Sequence, residues 1–179
     1  MNQPVINNYE ALKDCLYVLN PADNKFVKAE EWIKTDNPSI AQLVAVKTPY
    51  YLIVFSKNFV HDKEGNPVNL DFEAVQKACA EFSVPGNSLT FRAPRRNESN
   101  YIYDAWWAGG LKELIKKIGG DDFEVRWWTC EKDTWSCSRY GAGGAWFFGG
   151  SGGYANYYYV YSSYRALPVV LLDVNEVNN

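Results

Sequence analysis

The sequence has a single histidine, no closely spaced cysteine pair, no excess of basic residues and no long apolar run. Each absence closes a class of function. His61, the one imidazole, lies in His-Asp-Lys-Glu-Gly-Asn-Pro, a composition that reads as an exposed turn. A Ser-His-Asp or Cys-His nucleophilic set would have to be built on that loop. The four cysteines, Cys15, Cys79, Cys130 and Cys137, lack the two-residue gap of a zinc knuckle or thioredoxin-like motif. Free, mostly buried thiols are the leading expectation, and a Cys130–Cys137 disulfide across a turn stays open. No metal, cofactor or catalytic residue is expected, and the chain is read as non-enzymatic. Lys and Arg number 18 against 21 Asp and Glu, so no surplus exists to neutralise phosphates, and no nucleic-acid partner is expected. The longest strongly apolar run, Tyr50 to Phe55, is far short of the ~20 residues of a membrane helix. Met1 to Asp14 has neither a basic start nor an apolar stretch, so the expectation is no signal peptide and cytoplasmic synthesis.

The most informative absence is local. The 25 residues between Arg139 and Arg165 contain no Asp, Glu, Lys or Arg. Ten are aromatic and seven are Gly; three Ser, three Ala, one Asn and one Val complete the stretch. If it forms hairpins, alternation sends about half of the side chains outward. The outward set is then mostly Tyr, Gly and Ser, which marks a binding surface. Tyr gives a large amphipathic contact area with two torsions to freeze, while Gly and Ser let loops adapt. A tyrosine-rich β-core, or a self-association surface, is the competing reading. Gly141 to Trp146 opens like a dinucleotide loop, but Trp146 stands where the third Gly belongs. Gly149-Gly150-Ser151-Gly152-Gly153, between two aromatic segments, reads as a hairpin turn.

The whole chain has 179 residues, 47% of them apolar, which suits one domain or one domain with a small appendage. Residues 9–20 read as a short helix or strand, with a turn at Asn20 to Asn24. Lys25 to Trp32 reads as a short strand and a helical turn. Ile40 to Val46 and Tyr50 to Phe55 form a hairpin joined at Lys47-Thr48-Pro49. Asp71 to Phe82 is a helix, capped by Asp71 and stopped by Pro85-Gly86-Asn87. Leu89 to Ala93 is extended. Asn97 is positioned to cap a second helix. Leu111, Leu114, Ile115 and Ile118 mark an amphipathic helix ended by Gly119-Gly120. Four strands follow, at Val125 to Cys130, Ala145 to Phe148, Tyr154 to Tyr161 and Tyr164 to Leu172.

Phe91-Arg92-Ala93-Pro94-Arg95-Arg96-Asn97-Glu98 resembles the "WRLPT-x-x-E" step of C-type-lectin-fold domains. Trp128-Thr129-Cys130-Glu131 resembles their "WTSTE" strand, Ala145-Trp146-Phe147-Phe148 their "AW-aromatic" strand, and Tyr164 to Val169 their closing "RVRPV" strand. The chain thus resembles the variable proteins of diversity-generating retroelements, within the lectin-fold and formylglycine-generating-enzyme-like superfamily of phages and gut bacteria. The resemblance implies an α+β C-type lectin-like fold, with two main helices packed on short antiparallel sheets and an N-terminal hairpin region. It implies a β-rich part over 1–70, completing the fold or forming a small appendage; a core over 71–173 with its variable segment at 128–165; and a tail at 174–179. Substituting the first two bases of an AAC or AAT codon reaches every residue from Tyr140 to Tyr164 except Trp146, where the family keeps a fixed Trp. Leu167, Val160 and Ala93 depart from the family's usual Arg, Lys and Leu.

The resemblance implies a diversified, outward-facing, ligand-binding set at Tyr140, Phe148, Ser151, Tyr154, Asn156, Tyr157, Tyr158, Tyr159, Tyr161, Ser162 and Tyr164. Trp128, Trp146, Arg165 and Pro168 are expected as scaffold. The implied partner is a protein or glycan on a cell or host surface, with homo-oligomerisation and display on a phage virion as further expectations. The alternative is a structural or assembly protein, such as a virion subunit that uses the aromatic face for subunit contact. Calcium-dependent sugar binding is disfavoured, because Glu-Pro-Asn, Gln-Pro-Asp and Trp-Asn-Asp do not occur and the variable segment has no carboxylate. Formylglycine-type oxidation needs a reactive cysteine pair with a metal, and none is identifiable.

Overall fold

The computed structural model of the chain describes residues 15–132 and 144–175. It is an α+β arrangement of two antiparallel sheets and three substantial helices. Its elements are β1 (Leu16–Leu19), β2 (Phe26–Lys28), α1 (Ala29–Trp32), β3 (Leu43–Lys47), β4 (Tyr51–Ser56), α2 (Phe72–Glu81), α3 (Arg96–Ala108), α4 (Leu111–Ile118), β5 (Arg126–Lys132), β6 (Gly144–Gly149), β7 (Tyr154–Tyr159) and β8 (Val169–Asp173). The larger sheet runs β2-β1-β3-β4-β8 and the smaller runs β5-β6-β7.

β3 and β4 are near-continuous apolar runs because both faces of the larger sheet are covered. Val44, Val46, Ile53, Phe55 and Val169 pack with Ile102, Ala105 and Trp106 of α3 and the apolar stripe of α4. Alternate residues Leu43, Ala45, Leu52 and Val54 pack on Phe82, Val84, Leu89 and Phe91. A third cluster joins Phe72, Val75 and Cys79 of α2 to Trp128, Ala145 and Phe147 of the smaller sheet.

The helices follow local chemistry. Asp71 accepts a 2.9 Å bond from Ala74 N–H and starts α2. α4 has only eight residues, too few to hold alone, and forms by burying Leu111, Leu114, Ile115 and Ile118. It stops at Gly119, whose φ of 71° suits a residue without Cβ. The buried Lys57 ammonium caps this end, donating to Ile118 O at 2.9 Å and Ser39 O at 2.7 Å, and burial lowers its pKa.

Three expectations need correction. Asn97 does not cap α3; Arg95 holds the cap position, and its N–H donates to the Glu98 carboxylate at 2.7 Å. Tyr164 to Leu172 is not one strand. Tyr164 bridges Leu70, Arg165 bridges Trp127, and after Pro168 the chain joins β4 in the other sheet. A proline supplies no ladder donor, so the break falls there. His61 is half-buried rather than exposed, with Nε2 at 2.8 Å from Asp121 Oδ2; the same carboxylate oxygen accepts the Phe59 N–H at 2.9 Å. The Cys130–Cys137 pairing involves a residue outside the described ones.

A second link between the sheets runs through the segment before α3. Arg92 exchanges backbone bonds of 2.9 and 2.8 Å with Val169, and Pro94 O accepts the Cys130 N–H at 2.8 Å. The Arg92 guanidinium grips Glu98 through both carboxylate oxygens, at 2.7 and 2.8 Å, and Glu98 is 1% exposed. Arg92→Ala leaves that carboxylate buried without its counter-ion. The expected cost is about 2–4 kcal/mol, below the cost for a fully buried pair because Arg92 is partly solvated. Urea unfolding measures it, with Arg92→Lys falling between the two.

Candidate functional site

The candidate site lies on the smaller sheet. In its register Trp146 opposes Tyr157, Phe147 opposes Asn156, and Gly149 opposes Tyr154. Both inner faces of β5 and β6 are occupied. Trp127 stacks on Phe148 at 5.2 Å, and the Trp127 indole N–H donates to Ser99 of α3 at 3.1 Å. On the opposite face Trp128 meets Phe72 of α2 edge-on at 5.7 Å. β7 is the outer strand, and its side chains emerge beyond this cover.

The anticipated binding residues divide into four groups. Ser151, Tyr154, Asn156, Tyr158, Tyr159 and Tyr161 are exposed; Tyr158 is 44% and Tyr161 84% exposed. Tyr157, Ser162 and Tyr164 are half-buried and structural in part. Tyr157 meets the Trp146 ring edge-on, Ser162 O accepts the Trp128 indole N–H at 3.3 Å, and Tyr164 lies 4.7 Å from the Phe147 ring. Phe148 is 0% exposed, which corrects its placement on the outward face. It shares a sheet face with Trp146, but α3 covers that face at Phe148 through Tyr103, whose ring lies 6.0 Å away. Tyr140 lies outside the described residues.

Of the expected scaffold residues, Trp128 and Pro168 are buried. The Arg165 guanidinium donates to Pro67 O. Trp146 is half-buried beneath Arg96, whose guanidinium carbon sits 4.3 Å from the ring centroid while its Nε bonds Glu131 at 3.1 Å.

Sequence reading treated the glycines here as sources of loop adaptability. In the structure several are seats for rings. A Cβ at Gly149 would come within 2.9 Å of the Tyr154 ring, and one at Gly144 would meet the end of the Tyr157 ring. Arg126 was also missed. It is exposed, its guanidinium carbon lies 5.5 Å from the Phe147 centroid and 6.0 Å from that of Tyr164, and its Nη2 is 3.5 Å from the Tyr154 hydroxyl. That hydroxyl is the chief influence raising the Arg126 pKa further, so the cation is permanent. Burial raises the Tyr164 pKa, which keeps its phenol neutral and able to donate.

The turn that launches β7 is tightly built. Gly150 donates to Val125 O at 2.8 Å and accepts the Trp107 indole N–H at 3.1 Å. A Cβ there would collide with the Phe123 carbonyl and lie 2.6 Å from the Trp127 ring. A Cβ at Gly152 would meet only the Tyr154 ring. Gly150→Ala is therefore expected to lose about 1–3 kcal/mol and Gly152→Ala less than about 1 kcal/mol, as read by chemical denaturation. No family model matches the chain, and no curated protein matches it.

Proposed function

We propose that this chain is a non-catalytic ligand-recognition module with a C-type lectin-like fold, of the kind made variable by a diversity-generating retroelement. The tyrosines on and beyond β7 take the ligand, a protein or glycan on another cell or a host. The observation that carries this reading is the exposure of Tyr154, Tyr158, Tyr159 and Tyr161 on a sheet whose inner faces are packed. Exposed rings without charged neighbours in sequence cost a protein solubility, and a partner that covers them supplies a reason to keep them. The Phe91-to-Glu98 step supports the fold assignment through the Arg92–Glu98 pair. So do the interior position of Trp128 and the return of the closing strand beside β4.

An assembly role is the second reading, favoured by the position of β7 at the outer side of its sheet, where identical uncharged strands meet without like-charge repulsion. The test compares the natural chain with a Tyr158→Ala/Tyr161→Ala variant on arrays of cell-surface protein ectodomains and glycans. Binding is expected to fall at least tenfold while the melting temperature moves by less than about 4 °C, because Tyr161 is 84% and Tyr158 44% exposed. A large drop in melting temperature would make these rings core. A tight oligomer in sedimentation that the double variant dissolves would favour assembly. In the encoding DNA, a near-copy of the segment for residues 128–165 that differs only at adenines would support the retroelement assignment.

A further inference from the structure

Among the described residues, the tyrosine face carries a cation, Arg126. Arg126 reaches onto it from β5, held over Phe147 and Tyr164 and touching the Tyr154 hydroxyl. Among the described residues no carboxylate lies within ion-pair distance of it. Arg92 is engaged with Glu98, Arg96 with Glu131, and Arg165 with the Pro67 carbonyl. A guanidinium fixed by rings loses little freedom when it binds, and its planar fork matches a carboxylate bidentately. The Tyr154 hydroxyl stands beside that fork as a further donor, and the Tyr164 ring flanks it.

We infer that Arg126, flanked by the Tyr164 ring and with the Tyr154 hydroxyl beside it, forms an anion-receiving centre that takes an Asp or Glu carboxylate of a protein partner. This rests on the ligand-recognition reading above. A protein is favoured because Tyr and Arg together, with Asp, Glu and Lys depleted around them, are the composition of an interface hot spot. A cavity of about 520 Å³ lies away from this face, between α1 and the α3–α4 junction, lined by Glu30, Trp107 and Glu113.

A random dodecapeptide phage library selected on the immobilised full chain supplies the probe, with affinities then read by fluorescence anisotropy. Selected peptides are expected to share an acidic residue. Arg126→Gln should weaken them at least tenfold, and Arg126→Lys, which keeps charge but loses the fork, should weaken them less. Asp→Asn or Glu→Gln in the peptide should cost at least tenfold against the natural chain and almost nothing against Arg126→Gln. Arg126 is exposed, so the melting temperature of each variant checks that folding is unaffected.

Peptides that need Tyr158 but show no coupling to Arg126 would overturn this inference and leave the ligand-binding face standing. Peptides indifferent to both Tyr158 and Arg126 would overturn both. An empty selection would overturn the inference. So would Arg126-dependent capture of sialylated or sulfated glycans on an array without peptide binding, since the anion would then be a sugar's.

Discussion

The buried carboxylate of Glu98 is the constraint from which the architecture follows. It accepts two bonds from Arg92 and one from the Arg95 N–H, so a single side chain both starts α3 and fixes the strand-like segment before it. That segment holds β8 of the larger sheet through Arg92 and β5 of the smaller sheet through Pro94. A charge placed this deep is costly unless every partner is present, so the pair specifies geometry more than it adds net stability. The two sheets are joined through this segment and again through Arg165, whose backbone bonds Arg126 and Trp128 before the chain enters β8.

With β5 and β6 fixed, the tyrosine face follows. Trp127 and Phe148 are committed to the α3 side and Trp128 and Phe147 to the α2 side. Gly144 and Gly149 give two rings of β7 a backbone to lie on. The result is a set of aromatic groups partly held by their own sheet and partly open to water. A partner docking on such a surface would pay a small entropic cost, because the scaffold has already restricted it.

Much of the fold was legible because its signals are local. The Asp71 cap, the stripe of α4 and the β3–β4 hairpin are written in short-range patterns, and each forms where expected. What escaped depends on distant partners. Phe148 sits in Ala-Trp-Phe-Phe-Gly, where no alternation distinguishes an inward ring from an outward one; the cover from Trp127 and Tyr103 decides. Asn97 has a good capping side chain, but the cap belongs to Arg95 because Arg92 has drawn Glu98 inward. The switch of the closing strand between sheets is invisible in an apolar run, apart from Pro168. Arg126 looks like an ordinary polar residue near the start of the Val125–Cys130 strand, until the β5–β6 register sets it beside Phe147.

The central claim is that the rings of β7 and the following turn face solvent while their neighbours on the same small sheet do not. Tyrosine nitration with tetranitromethane, followed residue by residue by mass spectrometry on the dilute native chain, tests it most directly. Tyr161 should react first, then Tyr154, Tyr158 and Tyr159, with Tyr17 and Tyr164 reacting slowly until denaturant is added. Protection of Tyr158 and Tyr161 comparable to that of Tyr17 would contradict the account.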